Sequence, residues 1–315
     1  MNLPALARLV RDHPGLRAKG PLRAVAETLG GDGDDAALVA DGDGWLALAA
    51  EAIAPELVAE APRVAGVAGV VTVLNDLAAT GARPLAILDT VVAGDEPTVR
   101  ELLAGLRAGA GLYGVRIPGG HATVTEGAAP ALSTFAVGRA AAPLRASHAQ
   151  AGDPVCLVAC LEGELGAMAG EGSFFSHLRG PRRDRAAADL ALLADAAEAG
   201  DAWSARDVSM PGVAGSLLQL AESAGGLGAT LDLDSLPRPA GVDLGRWLVT
   251  FPSYGFLVVG DPGALGARFE GAGLACARVA TLDGTARLRL AAGGEVAEVW
   301  DLAAVPLTGM GPARG

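Results

Sequence analysis

At 315 residues the chain is long enough to bury a large core, and its length alone suggests two domains. Hydrophobic residues make up 51% of it and charged residues 19%, which excludes a disordered chain. The net charge of -12 argues against nucleic acid and anionic membranes as main partners.

Strand-like and helix-like segments alternate along the chain and predict an α/β or α+β fold. In the first half, the pattern predicts strands over 36–40, 45–50, 84–92, 115–117 and 131–138, with helices over 62–80 and 95–112. In the second half, it predicts strands over 155–161, 229–233 and 256–260, helices over about 185–199, 211–224 and 262–272, and further strands to the end. A polar, turn-rich segment from Ala140 to Asp153 predicts the boundary between a domain over 1–145 and a domain over 146–315. Residues 170–183 have the composition of a mobile loop that could serve as a lid.

Three features of the sequence bear on location and chemistry. The N-terminal residues lack an uninterrupted apolar stretch, and the longest apolar run, over 64–74, is too short to span a bilayer, so we expect a cytoplasmic protein without a membrane partner. Cys156, Cys160 and Cys276 lie in apolar stretches without zinc-ligand spacing, which predicts free thiols in the core. Lys19 is the single lysine of the chain, and it is either a phosphate ligand or a surface residue without a role.

Acidic residues fall where packing alone does not require them. Asp34 and Asp35, in "GDDAA", precede a predicted strand, and the pair is either a solvated turn or a cation site. On the helix over 62–80, the spacing places Asp76 on a small and polar face with glycine and threonine, away from a stripe of valine and leucine. Glu51 ends a predicted strand, where it could simply meet solvent, and Asp207 precedes a predicted helix, where capping is the alternative.

If these carboxylates converge, their repulsion has to be offset. Two carboxylates about 4 Å apart repel by about 4 kcal/mol at an effective dielectric constant of 20. A divalent cation removes that cost, and Mg²⁺ typically uses few protein carboxylates, with water and phosphate oxygens as its other ligands. Phosphoryl-transfer sites have this composition. In "IPGGHAT", the pair Gly119 and Gly120 predicts a turn whose backbone N–H groups approach a ligand, with His121 as a polar tip.

The order of four motifs, "GDDAA", "LNDLAATGARP", "GGHAT" and "ARDVSMPGVAGSLLQLAE", resembles the aminoimidazole-ribonucleotide (AIR) synthetase superfamily, also called PurM-like. This superfamily includes thiamine-monophosphate kinase, selenophosphate synthetase and a hydrogenase-maturation dehydratase. The resemblance covers about residues 30 to 260. It implies a two-domain fold, in which the N-terminal domain binds ATP with Mg²⁺ and pairs with a second copy into a dimeric β-barrel, followed by a C-terminal α/β domain.

Carried over by position, the resemblance implies three groups of site residues. The implied metal ligands are Asp35, Glu51, Asp76 and Asp207. The residues implied beside the nucleotide are Gly33, Asp34, Asn75, Gly119, Gly120, His121 and Thr123. The implied catalytic residues are Lys19, Asp76 and His121. In the relatives, the glycine-pair loop of one subunit reaches the nucleotide of the other, which implies a homodimer with shared nucleotide sites.

The chain also departs from the named members, and the departures leave its function open. "GGH" is closest to selenophosphate synthetase, yet no cysteine precedes Lys19. Met210 and "FPSYGF" replace acidic residues of thiamine-monophosphate kinase. The chain is therefore identified as an AIR synthase-related protein outside those activities. Its expected function is Mg-ATP-dependent phosphoryl transfer to an unidentified small molecule; the alternatives are an ATP-binding sensor or assembly partner without turnover, and an α/β dimer without nucleotide.

Overall fold

A computed structural model describes residues 2–167 and 173–311, and it shows a mixed α/β protein, as predicted. The helices are α1 (Leu3–Asp12), α2 (Pro14–Arg17), α3 (Leu22–Leu29), α4 (Pro55–Glu60), α5 (Pro62–Ala79), α6 (Glu96–Tyr113), α7 (Ala186–Glu198), α8 (Gly212–Ser223), α9 (Leu244–Leu248) and α10 (Pro262–Gly271). The strands are β1 (Ala37–Asp41), β2 (Gly44–Ala52), β3 (Arg83–Ala93), β4 (Arg116–Val124), β5 (Ala131–Ala140), β6 (Pro154–Ala159), β7 (Glu164–Ala167), β8 (Ser173–Ser176), β9 (Ala202–Asp207), β10 (Gly228–Asp232), β11 (Thr250–Pro252), β12 (Gly255–Gly260), β13 (Ala275–Asp283), β14 (Arg287–Ala292) and β15 (Glu295–Asp301).

The chain forms two compact units. The five-stranded unit comprises residues 35–142 and 182–195, and the seven-stranded unit comprises the described parts of 2–34, 143–181 and 196–311. No helix among the described residues is both long and apolar enough to cross a membrane.

The five-stranded unit is a sheet in the order β1-β2-β5-β3-β4, in which β3 and β4 are parallel and the other pairs are antiparallel. Helices α5 and α6 pack against each other and against this sheet. Their contact depends on two glycines, because a Cβ on Gly66 would lie 2.8 Å from the Cα of Gly105. Nearly all of the second half of α5 is buried, so the stripe of buried residues predicted for this helix was too narrow.

The opposite face of the five-stranded sheet carries apolar side chains that are exposed. Val39 on β1, Leu48 on β2, Phe135 on β5 and Leu88 on β3 point to this side and are each 43% to 51% exposed. Leu88 and Phe135 are direct neighbours in the register of β3 and β5. We call the side of the sheet that these four residues mark the open face.

The seven-stranded unit has one sheet in the order β15-β14-β10-β13-β6-β12-β9 and a smaller sheet in the order β11-β8-β7. Helix α8 is buried along its whole length. Its apolar residues pack with those of β6, β10 and β12 in the core of this unit. Cys156, Cys160 and Cys276 are buried thiols outside any disulfide bond, as predicted.

Two sequence-based predictions of local structure were wrong. The segment over 117–123 is no turn after a short strand; it lies inside β4, an edge strand, and Gly119 and Gly120 have no positive φ. An edge strand tolerates the proline and the glycine pair of this segment because it forms backbone hydrogen bonds with only one neighbouring strand. For the predicted mobile loop over 170–183, residues 170–172 lie outside the described residues, whereas Ser173–Ser176 form β8, with Phe175 2% exposed.

Candidate functional site in the five-stranded unit

A row of polar and small residues crosses four strands of the five-stranded sheet. The register pairs Glu51 on β2 with Thr134 on β5, Thr134 with Asp89 on β3, and Asp89 with Gly120 on β4. Paired residues of neighbouring strands point to the same side of a sheet. Ile87 and Val91, two residues to either side of Asp89, are fully buried, so the row lies on the helix-covered side. We call these four residues the polar row.

Asp89 is the most unusual member of the polar row. It is 7% exposed, and no hydrogen bond or ion pair to its carboxylate occurs within the part of the chain that the structure describes. Burial raises the pKa of Asp89 above its ordinary value of 3.8, because the charged form loses water without gaining a partner. A buried carboxylate in this state is a candidate ligand for a cation.

Gly120 fits against this carboxylate because it has no side chain. A Cβ at position 120 would lie 2.5 Å from Oδ2 of Asp89, closer than any real contact. The missing side chain of Gly120 therefore leaves room for the carboxylate of Asp89. The next residue of the motif, His121, points to the other side of β4, where its Nε2 lies 3.3 Å from Oγ1 of Thr123. Gly119 alternates in the same way, so the glycine-pair motif is divided between the two sides of the sheet.

Helix α5 places a second polar group on the same side of the sheet. Oγ1 of Thr134 donates a hydrogen bond of 2.8 Å to the carbonyl of Gly69, which fixes α5 against the polar row. Asp76 lies seven residues later, about two turns or 10 Å along the helix, and it therefore faces the same way as Gly69. Asp76 and its neighbour Asn75 are 8% and 1% exposed.

The small and polar face predicted for α5 is only partly correct. Asp76 and Gly69 share one side of the helix, but this side is buried against the sheet. The hydroxyl of Thr72 donates to the carbonyl of Ala68 within the same helix, and that of Thr80 donates to the carbonyl of Leu77. Both threonines thus satisfy their hydroxyl groups locally.

Asp35 and Glu51 lie at the same end of the hairpin formed by β1 and β2. Asp35 lies two residues before the start of β1, and the antiparallel register brings this end of β1 beside the second half of β2, where Glu51 lies. Glu51 is half-buried on the helix-covered side and is no solvated strand end. The structure thus gathers Asp35, Glu51, Asp76 and Gly120 in one unit, with Asp89 as an additional carboxylate.

The remaining predicted site residues belong to the seven-stranded unit. Asp34 accepts a hydrogen bond of 2.7 Å from the backbone N–H of Ala146. Asp207 is the last residue of β9 and is 5% exposed, so it is neither a helix cap nor a turn residue. Lys19 is half-buried in the turn that follows α2.

The described residues do not support a metal site whose ligands are protein side chains alone. Across residues 2–167 and 173–311, no three His, Cys, Asp or Glu side chains form a group that could hold a metal ion. A Mg²⁺ ion that uses one or two carboxylates and completes its octahedron with water and phosphate oxygens fits these residues better.

The fold and the buried carboxylates define a class of protein, and comparison with known proteins agrees with it. The sequence profile of "AIR synthase related protein, N-terminal domain" matches residues 33–140. An uncharacterized protein of Synechocystis sp., sll0787, is 34% identical over 294 residues, which cover 88% of this chain and 86% of that protein. The chain belongs to the AIR synthase-related family of PurM-like proteins.

Two solved structures show the same fold at low sequence identity. Thermotoga maritima PurL complexed with ATP superposes with a TM-score of 0.72 at 21% identity, over 88% of this chain and 47% of PurL. The chain thus spans about half the length of PurL. The protein AaThiL complexed with AMPPCP and TMP superposes with a TM-score of 0.66 at 15% identity, over 89% of this chain and 95% of AaThiL.

Proposed function

We propose that the protein binds ATP together with Mg²⁺ and transfers a phosphoryl group to an oxygen of a small molecule. The observation that carries this proposal is Asp89, a buried carboxylate with no hydrogen-bond or ion-pair partner among the described residues, in one row with Glu51. Burial of such a charge is costly unless a cation offsets it. The shared fold with proteins solved with ATP and AMPPCP supports a nucleotide complex of Mg²⁺ as that cation.

The proposal assigns a role to each of the candidate site residues. Asp35, Glu51 and Asp76 are proposed as candidate Mg²⁺ ligands of the five-stranded unit, of which one ion would use one or two, with Asp89 balancing the charge from within the sheet. The same ligand role is proposed for Asp207 in the seven-stranded unit. The groups proposed to orient the nucleotide are Gly33, Asp34, Asn75, Gly119, Gly120, His121 and Thr123.

In phosphoryl transfer the protein mainly positions the reactants and stabilises charge, and it forms no covalent bond of its own. When bound, Mg²⁺ neutralises the phosphate oxygens and stabilises the charge that shifts during transfer. The carboxylates fix the position of the nucleotide, and the ammonium group of Lys19 is proposed to approach its phosphates. His121, exposed beside Thr123, is proposed to accept the proton of the acceptor hydroxyl.

A protein that binds ATP without turnover is the second candidate. The observation that favours it is Met210, which stands in the motif after β9 where thiamine-monophosphate kinase has an aspartate and is 44% exposed. The two candidates make the same prediction for ATP binding. A screen of small molecules with hydroxyl, carboxylate or phosphate groups distinguishes them. Only the phosphotransferase is expected to release ADP in this screen.

Asp76→Asn is expected to weaken Mg-ATP binding at least tenfold, which corresponds to about 1.4 kcal/mol. The variant keeps the shape of the side chain but removes a negative charge that we assign to metal ligation. Isothermal titration calorimetry with ATP, in the presence and absence of Mg²⁺, measures the effect.

The matched control is Asp184→Asn, the same change at an exposed position of the five-stranded unit. It is expected to leave the affinity unchanged. Equal Mg-ATP affinity in the wild type and in Asp76→Asn would show that Asp76 is no metal ligand. A wild-type protein without any affinity for Mg-ATP would refute the proposed function as a whole.

A further inference from the structure

The C-terminal segment over 306–311 is held in place by one carboxylate of the seven-stranded unit. We call this segment the C-terminal strap. Glu222 on α8 is 7% exposed and accepts hydrogen bonds from the backbone N–H groups of Leu307, Thr308 and Gly309, at 2.7, 2.8 and 3.2 Å. The hydroxyl of Thr308 donates a fourth bond of 2.6 Å. Hydrogen bonds to an ionised acceptor are about twice as strong as neutral ones, so Glu222 is the anchor of the strap.

The strap contacts the glycine-rich loop over 30–34. The N–H of Gly311 donates to the carbonyl of Gly31 at 3.2 Å. A Cβ at Gly33 would lie 3.2 Å from the Cβ of Met310 and 2.4 Å from Oγ of Ser223, so loop, strap and α8 meet at this residue.

The glycine-rich loop needs such support because its backbone has little stiffness of its own. Gly30, Gly31 and Gly33 have φ values of 72°, 141° and 79°, a region that glycine enters without steric cost and leaves as easily. The carbonyl of Gly33 accepts hydrogen bonds from Nη1 of Arg206 at 2.9 Å and from Oγ of Ser223 at 3.0 Å. Ser223 directly follows Glu222, so neighbouring residues of α8 hold the strap and the loop.

Helix α3, which precedes the loop, also contacts the strap. Nη1 of Arg23 on α3 donates to the carbonyl of Pro306 at 3.3 Å. None of the residues of α3 is buried, and Leu29 at its end is 82% exposed. With so little packing of its own, α3 does not fix the start of the loop alone, and the strap contacts it at Arg23 and Ala26.

We propose that Glu222 is a positioning residue for nucleotide binding, acting through the C-terminal strap on the glycine-rich loop. By holding the strap, Glu222 fixes the loop that ends in Asp34, next to Asp35. This inference rests on the proposed function, in which this loop lies beside the nucleotide. Neither Glu222 nor the strap touches the nucleotide in this proposal.

The test uses Glu222→Gln in the 315-residue chain. A carboxamide keeps the size of the side chain, but its NH₂ group faces backbone N–H donors in place of an acceptor oxygen. Hydrogen–deuterium exchange measured by mass spectrometry is expected to rise about tenfold in peptides covering 30–36 and 306–311, as the local opening becomes easier. The amide of Ala146, bonded to Asp34, is expected to exchange faster as well. Peptides from β6 and β12 are expected to exchange as in the wild type.

Calorimetry of the same variant is expected to show Mg-ATP affinity lowered about tenfold. Glu295→Gln is the matched control, because Glu295 is exposed at the start of β15; its exchange and affinity are expected to equal those of the wild type. Should Glu222→Gln fail to fold, Thr308→Val provides the second variant. It keeps the branched shape and removes only the hydroxyl that donates to Glu222 and accepts from the N–H of Met310, and it is expected to have a smaller effect in the same peptides.

The outcomes separate the inference from the proposed function. Unchanged exchange over 30–36 in a folded Glu222→Gln protein would overturn the positioning role, as would faster exchange confined to the strap. Faster exchange over 30–36 with unchanged Mg-ATP affinity would also overturn it. A wild-type protein that binds no Mg-ATP would refute the proposed function, while the exchange experiment would still decide whether Glu222 holds the loop.

Discussion

Replacing Asp89 by asparagine is expected to stabilise the protein and to abolish most of its affinity for Mg-ATP. The carboxylate is buried without a partner within the described residues, and a neutral amide at this position costs less to bury. We expect the free energy of unfolding to rise by about 1 kcal/mol at neutral pH, a gain typical of substitutions that relieve a strained functional site. The loss of binding is expected to exceed tenfold, because the charge that offsets the cation is removed.

The dependence of stability on pH gives this prediction a second readout. Since the folded state raises the pKa of Asp89 above 3.8, the folded chain binds this proton more tightly than the unfolded chain. The contribution of Asp89 to stability is therefore lost as pH rises from the unfolded value through the raised folded value. The difference in unfolding free energy between Asp89→Asn and the wild type is expected to be small at acidic pH and to grow through this window.

Urea denaturation across a pH series, with Mg-ATP calorimetry at neutral pH, measures both effects. Asp184→Asn, an exposed change in the same unit, is expected to alter neither quantity. A variant that is less stable than the wild type at neutral pH would show that Asp89 has a stabilising partner in solution. A variant that is more stable but binds Mg-ATP normally would remove Asp89 from the site.

Introducing a charge on the open face is expected to convert a homodimer into monomers. Val39, Leu48, Leu88 and Phe135 form an apolar patch, with the ion pair of Arg139 and Asp41 on the same side of the sheet, and a two-fold dimer requires a surface that is complementary to itself. We propose that a second copy covers this face, as the family resemblance implies. Phe135→Asp would bury a carboxylate at the centre of the contact, a change that costs several kcal/mol when no partner charge is present.

Light scattering measures the outcome directly. The wild type is expected at about twice the 31.3 kDa of the chain, and Phe135→Asp is expected at the mass of one chain. Leu103→Asp is the matched control, because Leu103 is 41% exposed on α6, away from the open face. A monomeric wild type, or a dimer that survives Phe135→Asp, would exclude this face as the interface.

Sharing of nucleotide sites between subunits is a separate prediction. A mixed dimer of Asp76→Ala and Gly120→Trp chains tests it, because shared sites should recover part of the ATP binding that each variant lacks alone.

The sequence predicted most elements because their periodicity and their end signals agreed. The helix over 62–80 appears as α5, with Pro62 at its first residue, and the turn "DGDG" joins β1 and β2 as expected. Helical spacing placed Asp76 and Gly69 on one side of α5, as the structure does, but it could not show that this side is buried. A helix that is apolar nearly all round has no stripe from which burial can be read.

The sequence did not identify Asp89 as a site residue, for a related reason. It is a single carboxylate in the apolar strand "PLAILDTVV", and strand periodicity alone cannot tell which side of a sheet is covered. Its buried state depends on the register with Thr134 and Gly120, which are 45 and 31 residues away in the chain. The glycine pair was predicted as a turn because glycine pairs usually form turns, whereas here the missing side chain of Gly120 makes room for a neighbour across the sheet.

The contact between Asp89 and Gly120 limits which residues position 120 accepts. A methyl group there would lie 2.5 Å from Oδ2 of Asp89 and 2.7 Å from its backbone carbonyl oxygen. A smaller residue at position 89 removes the first clash but leaves the second, because every residue keeps its carbonyl oxygen. The glycine is therefore a requirement of the pairing between β3 and β4 as well as of the carboxylate. A lineage that loses the aspartate remains bound to the glycine.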